Sequence, residues 1–159
     1  VRYLNDGSGK SFLSKICAYG CLARKTSSSY GQCFYIMSSS DIFSNNYVND
    51  SSISNSENDY ASSYYVLHIG NGRVLLTREN ISKNECAMYP ALYCFSSYNA
   101  AYTCYCSFVN NTADSYGCLY FDVPQEIHNC NILFNEQIST SYGTIYSRRN
   151  LYPPSYRTV

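Results

Sequence analysis

Tyr64-Tyr65-Val66-Leu67-His68-Ile69-Gly70-Asn71-Gly72-Arg73-Val74-Leu75-Leu76 is the clearest piece of local structure in the chain. Two runs of strand-favouring residues flank Asn71-Gly72, a pair that readily supplies the positive φ values of a tight turn. The stretch reads as a β-hairpin. A hairpin in mid-chain points to an antiparallel sheet.

The cysteines set the second expectation. Six of the nine fall between Cys86 and Cys130, at Cys86, Cys94, Cys104, Cys106, Cys118 and Cys130, and the other three are Cys17, Cys21 and Cys33. No Cys-x2-Cys or Cys/His knuckle is present, so the spacing argues against a metal site. The gaps carry Tyr, Phe, Leu and Val, the filling expected of a disulfide framework on short strands. All nine are therefore disulfide candidates. Cys104 and Cys106 share one face of a strand and call for different partners. Nine cannot all pair within one chain, which leaves at least one free, bonded to another molecule or otherwise modified.

Working outward, Arg2-Tyr3-Leu4 reads as an edge strand. From Ser11, the residues Phe12, Leu13, Ile16, Cys17, Gly20, Cys21 and Leu22 fall on a helical face. Ser82, three residues before Glu85, makes a capping box for a second short helix that Pro90 cuts off. Strands are expected at Cys33–Ile36, Leu92–Ser96, Tyr102–Val109, Cys118–Val123 and Cys130–Phe134. Residues 38–63, rich in Ser, Asn and Asp and without cysteine, read as a long polar loop or insertion. Residues 135–159 end in Tyr152-Pro153-Pro154, which favours an extended tail. The expected fold is α+β, mostly antiparallel β with one or two short helices and stapled by disulfides, in a module spanning 1–134.

Composition limits the function. Net charge is zero and 14% of residues are charged, which argues against nucleic acid as a partner. No apolar run approaches the roughly 20 residues of a membrane-spanning helix. A start at Val1 without a charged and apolar leader reads as a mature or excised segment whose signal peptide is gone, and the expected disulfide framework makes the chain a secreted, extracellular one. Tyrosine is the extreme number, 19, beside 25 Ser and 16 Asn and no Trp. Tyr offers rigid amphipathic contact area and Ser and Asn offer adaptable hydrogen bonds, a contact palette; Tyr is also a plain strand residue. Glycosylation sequons stand at Asn49-Asp50-Ser51, Asn80-Ile81-Ser82 and Asn110-Asn111-Thr112, close to the about three that chance gives for this composition.

Catalytic signatures are sparse. His68 sits among strand residues. His128 has Glu126 and Asp122 nearby to orient it as a base, but no nucleophile elbow, phosphate loop or His-Glu-x-x-His accompanies it. Asp41 with Asp50 and Asp114 with Asp122 are carboxylate pairs that only geometry could make into acid/base couples. The expectation is a non-enzymatic protein with no cofactor and no metal.

Ser14-Lys15-Ile16-Cys17-Ala18-Tyr19-Gly20-Cys21 with Cys33-Phe34-Tyr35 resembles part of the PAN/apple module, in which a helix bearing Cys-x3-Cys is stapled onto an antiparallel sheet. Cys118-Leu119-Tyr120-Phe121 with Cys130-Asn131-Ile132-Leu133 is similar to that module's two cysteine-bearing strands. The match covers about a third of the chain, lacks a closing strand cysteine near the first stretch, and spaces Cys86 and Cys94 too widely for the helical pair. The resemblance implies a Cys21–Cys33 bond and a role in adhesion or ligand binding. Two functions follow as expectations. One is an extracellular glycoprotein acting as a structural, self-associating subunit, with Tyr142, Tyr146, Tyr152 and Tyr156 at the interface. The other is a PAN-like binding module for a protein or glycan.

Overall fold

The computed structural model describes residues 2–4, 9–23, 33–39, 43–58, 65–95, 101–115, 117–139 and 143–148. These residues form strands and turns only. The chain winds as a coil of short strands, each coil stacked on the one before. Coil 1 holds β1 (Arg2–Leu4), β2 (Lys10–Ser14), β3 (Cys17–Tyr19) and β4 (Leu22–Ala23). Coil 2 holds β5 (Phe34–Met37), β6 (Asn45–Asn49), β7 (Ser52–Ser54) and β8 (Glu57–Asn58). Coil 3 holds β9 (Leu67–Gly70), β10 (Arg73–Thr77), β11 (Asn80–Ser82) and β12 (Glu85–Cys86). Coil 4 holds β13 (Leu92–Phe95), β14 (Ala101–Cys104), β15 (Ser107–Val109) and β16 (Thr112–Ala113). Coil 5 holds β17 (Leu119–Asp122), β18 (Gln125–His128), β19 (Asn131–Leu133) and β20 (Glu136–Gln137), and β21 (Ile145–Ser147) begins a sixth.

Every pairing among the described residues is parallel. The first strands of the coils form a six-stranded sheet, and the second and third strands form five-stranded sheets. The fourth strands pair as β4 with β8 and as β12, β16 and β20. The molecule is a parallel β-solenoid, and the α+β, disulfide-stapled expectation is overturned.

The reason lies at the corners. In coils 1 to 5 a single residue with positive φ separates the second and third strands: Lys15, Asp50, Arg78, Tyr105 and Asn129. Another follows the third strand: Gly20, Asn55, Lys83, Asn110 and Phe134. One left-handed residue turns the chain, so inward positions run at alternating intervals of two and three. Coil 3 shows it with Val74, Leu76, Glu79, Ile81, Asn84 and Cys86, all buried. In coil 1 the same rhythm gives Ser11, Leu13, Ile16, Ala18 and Cys21, which pack inward or against the core. The helical face read over Ser11–Leu22 mixed Leu13, Ile16 and Cys21, which pack on the core, with Phe12, Cys17 and Gly20, which are exposed. The second expected helix, read from the Ser82–Glu85 capping box through Met88, is instead the end of β11, a corner at Lys83, β12 and the turn that follows it.

The Asn71-Gly72 turn exists, with φ of 58° and 66°, but it does not make a hairpin. Leu67–Gly70 lies between β5 and β13 in the first sheet, while Arg73–Thr77 lies between β6 and β14 in the second. The turn is a corner between sheets, and a Cβ at Gly72 would come within 2.8 Å of the Ser44 carbonyl oxygen. Strands β6, β7 and β8 occupy the stretch read as a polar loop, with Asn46, Val48, Ser51, Ile53 and Ser56 buried. Strands β20 and β21 lie within the stretch read as a tail; residues 149–159, including the two prolines, lie outside the described residues. The expected strands near residues 2, 34, 92, 119 and 131 are present, and Tyr102–Val109 is split at Tyr105 into two.

The core is a column of Val, Ile, Leu and Phe one coil deep, with Val48, Ile53, Leu67, Leu76, Ile81, Leu92, Phe108 and Phe121 almost wholly buried. No two of the nine cysteines lie at disulfide-bonding distance. Among the described residues no helix is long and apolar enough to cross a membrane.

Polar side chains interrupt that column at the corners for a definable purpose. At the corner after the third strand, the first inward residue aims its N–H into the coil wall, and an inward side chain of the next coil accepts it. Ser56 N–H goes to Asn84 Oδ1 at 3.0 Å, Asn84 N–H to Asn111 Oδ1 at 3.2 Å, and Asn111 N–H to Asn135 Oδ1 at 3.0 Å. The amide nitrogens of these asparagines donate in turn to Ile53, Ile81 and Phe108 carbonyl oxygens. Replacing Asn111 by Ala removes the acceptor of both the Asn84 N–H and the Asn84 Nδ2 inside the core. We expect a loss of about 2–4 kcal/mol in chemical denaturation, since each buried orphan costs about 1–3 kcal/mol. Breaking the exposed corner pair of Arg78 with Asp50 by Arg78→Ala should by contrast leave the denaturation midpoint almost unchanged, because solvent screens the pair.

Candidate functional site

The outer face of the first sheet carries an aromatic ladder. Tyr35, His68, Tyr93, Tyr120 and Tyr146 occupy equivalent positions in successive strands. Their ring centroids lie 4.6, 4.8, 4.9 and 5.2 Å apart in sequence. Tyr65 and Tyr89, stacked at 5.5 Å, close over it and touch His68, Tyr93 and Tyr120. Parallel strands about 4.8 Å apart set this spacing, so the ladder follows from the fold and rigidifies it. Tyr146, expected at an interface, is the last rung. Tyr142, Tyr152 and Tyr156 lie outside the described residues.

His68 is the ladder's one polar rung. It is buried, neither ring nitrogen has a hydrogen-bond partner, and burial alone pulls it down to about 4. It stays neutral at physiological pH and serves as a flat ring. A second buried titratable group sits at the first corner column, where Glu79 Oε1 accepts the Ser51 N–H at 3.1 Å while Oε2 has no partner. Burial is the main cause that pushes Glu79 up to about 7.

The catalytic candidates are brought together only in part. His128 Nε2 lies 3.2 Å from Glu126 Oε2 on the outer face of β18, and Cys104 stands opposite His128 across the ladder. No hydrogen bond links Cys104 to His128, and burial raises the Cys104 thiol. Asp122 is in the first sheet instead, 3.6 Å from Arg148. Asp114 is exposed at the surface, and Asp41 lies outside the described residues. No group of three or more His, Cys, Asp or Glu capable of holding a metal exists among the described residues.

Cysteines serve several structural purposes. Cys94 and Cys118 are buried core residues whose thiols burial pushes up, Cys118 to about 12; Cys86 and Cys33 are likewise raised to about 12. Cys17 is exposed. Cys106 and Cys130 occupy the first corner column, where Cys130 Sγ accepts the Cys106 N–H at 3.4 Å as Glu79 does for Ser51. Sequon residues Asn80 and Asn110 are exposed, Asn49 is half-buried, and Ser51 of the first sequon is buried in the corner.

What the sequence reading missed is the pair of end surfaces. In coil 1, Tyr3, Leu4, Phe12 and Tyr19 are exposed by 45% to 74% of their surface; in and after β19, Leu133, Phe134, Ile138 and Ile145 are exposed by 38% to 78%. Between the ends, among the described residues, only Phe43 and Tyr105 are large exposed apolar side chains. The last full coil also holds polar atoms without partners, both amide atoms of Gln125 and the Nε2 of Gln137. The signal was present as residues without a neighbour of their own type, but only the coil order reveals that they are terminal. Comparison with known proteins found no family model that matches the sequence, no matching curated protein and no similar solved structure.

Glu79 and His68 should give the stability opposite pH slopes. A carboxyl raised in the fold binds its proton more tightly folded than unfolded, so Glu79 takes stability away as pH rises from about 4.5 through 7. A histidine lowered in the fold binds its proton more tightly unfolded, so His68 takes stability away as pH falls from about 6.5 through 4. In the native chain the two offset one another. Urea denaturation of Glu79→Gln across pH 4–7 should show stability rising with pH, and that of His68→Phe should show it falling.

Proposed function

We propose that this chain is a secreted, non-enzymatic structural subunit that assembles through its open coil ends. The observation that carries this reading is the concentration of large exposed apolar side chains on the terminal coils. A stacked coil of any solenoid needs a neighbour or a polar cap on its outer surface, and a row of unpaired strand groups invites pairing. Here coil 1 presents Phe12 and Tyr19, and coil 5 presents Leu133 and Phe134, where caps would be polar. Exposure of Asn80 and Asn110 supports the glycoprotein part of the reading. The chain's low charge supports association, since little repulsion keeps copies apart.

A second reading, a module that binds an extracellular protein or glycan, rests on the outer face of the second sheet. Phe12 stacks flat on Tyr47 with centroids 4.7 Å apart, and the Arg73 guanidinium lies 4.7 Å from the Tyr102 ring centre. Asn45, Asn46, Tyr47, Arg73 and Leu75 line a hollow of ≈ 120 Å³ there. Light scattering on eluting protein over a concentration series separates the two. Assembly predicts a mass that rises with concentration and returns to monomer in the triple variant Leu133→Asn, Phe134→Asn, Ile138→Asn. A native chain that stays monomeric throughout would favour the binding module.

A further inference from the structure

Cys106 and Cys130 face each other at the first corner of coils 4 and 5. The pairs Cys104 with His128 and Ser107 with Asn131 bracket them in register, so the two residues are direct neighbours one coil apart. Adjacent strands run about 4.7–4.9 Å apart, inside the roughly 4.4–6.8 Å between Cα atoms that a disulfide spans. Both side chains occupy the same inward column, and Cys130 Sγ already reaches the Cys106 backbone nitrogen at 3.4 Å. Cys130 is half-buried, with a route to solvent that Cys94, fully buried, lacks.

We propose that Cys106 and Cys130 form a reactive dithiol that exchanges with small-molecule or protein disulfides and reversibly ties the last full coil to the one before it. The solenoid itself stands with every thiol reduced; the bond is an optional covalent state at one corner. In the first step the Cys130 thiolate attacks one sulfur of the oxidant's disulfide. A mixed disulfide forms and the other oxidant sulfur leaves as a thiolate. Cys106 then loses its proton and attacks Cys130 Sγ, expelling the second oxidant thiolate. Two protein thiols are oxidised to one S–S bond, the oxidant gains two electrons, and the two protons end on its released thiols. The order of attack follows from the hydrogen bond within the pair, which lowers Cys130 and, with burial, raises Cys106. A thiol that is ionised more readily is the better first nucleophile near neutral pH. The remaining thiols with resolved shifts are all raised by burial. The proposal is independent of the assembly reading.

The test uses the whole chain, oxidised glutathione as oxidant, acid quenching at intervals, alkylation and peptide mapping. The expected result is a Cys106–Cys130 linked peptide before any other intramolecular pair. Cys106→Ser should then stop at a persistent glutathione adduct on Cys130, while Cys130→Ser should leave Cys106 largely unmodified. The native chain carries the test on its own should either variant fold poorly. A different pair forming first, or Cys106 and Cys130 both remaining alkylatable while Cys17 is consumed, would overturn the proposal.

Discussion

A backbone N–H that points into the core at a corner must find an acceptor there, and this solenoid finds it in the next coil. A left-handed residue turns the chain in one step, which leaves the following N–H out of the sheet ladder. An inward side chain one coil further on accepts it: Ser51 for Ile16, Glu79 for Ser51 and Cys130 for Cys106 at one corner, and Asn84, Asn111 and Asn135 at the other. Each coil is therefore completed by its successor. Buried polar groups that look costly in isolation are the means by which the coils register, because an unmet N–H in the same place would cost more.

That dependence has a direction, and it gives the ends their character. The last full coil has no successor among the described residues to accept the N–H of Cys130 or Asn135, and it is also where Gln125 and Gln137 hold polar atoms without partners. The apolar counterpart is seen at both termini, in Phe12 and Tyr19 and in Leu133 and Phe134. The outer faces differ. The first sheet is sealed by its stacked tyrosines, the third presents uncharged Ser52, Asn80, Ser107 and Asn131, and the second presents Arg73 beside Tyr47. Contact through the ends and contact through the second sheet share Phe12 at coil 1, where it stacks on Tyr47, and separate at coil 5, where Leu133 and Phe134 stand apart from that sheet.

Much of the local structure was legible and the pairing was not. The positive φ of Asn71 and Gly72 was readable from the residues, as were strands around Phe34, Leu92, Leu119 and Ile132. Which strands pair was not, because a turn suited to a hairpin is equally suited to a corner, and only contacts some 25 residues away decide. The internal repeat was the missed signal. Ser52-Ile53-Ser54-Asn55-Ser56, Asn80-Ile81-Ser82-Lys83-Asn84, Ser107-Phe108-Val109-Asn110-Asn111 and Asn131-Ile132-Leu133-Phe134-Asn135 share a small polar residue, a large apolar one and, three further on, Ser or Asn. They recur at 28, 27 and 24 residues, irregularly enough to hide under a search for a fixed period. The cysteines misled for a related reason: Cys106 and Cys130 hold corner positions that elsewhere carry Ser or Glu, and Cys94 and Cys118 fill core positions, so their density reflects where a small, buried side chain fits.

The most direct test of the solenoid is the pattern of short proton–proton distances between strands in isotopically labelled protein, measured by nuclear Overhauser spectroscopy. The parallel stack predicts backbone contacts that join Tyr47 to Leu75 and Leu75 to Tyr102, with Leu67–Gly70 joined instead to Phe34–Met37 and Leu92–Phe95. Cross-strand contacts between Leu67–Gly70 and Arg73–Thr77 in antiparallel register around Asn71-Gly72 would show a hairpin and contradict the account.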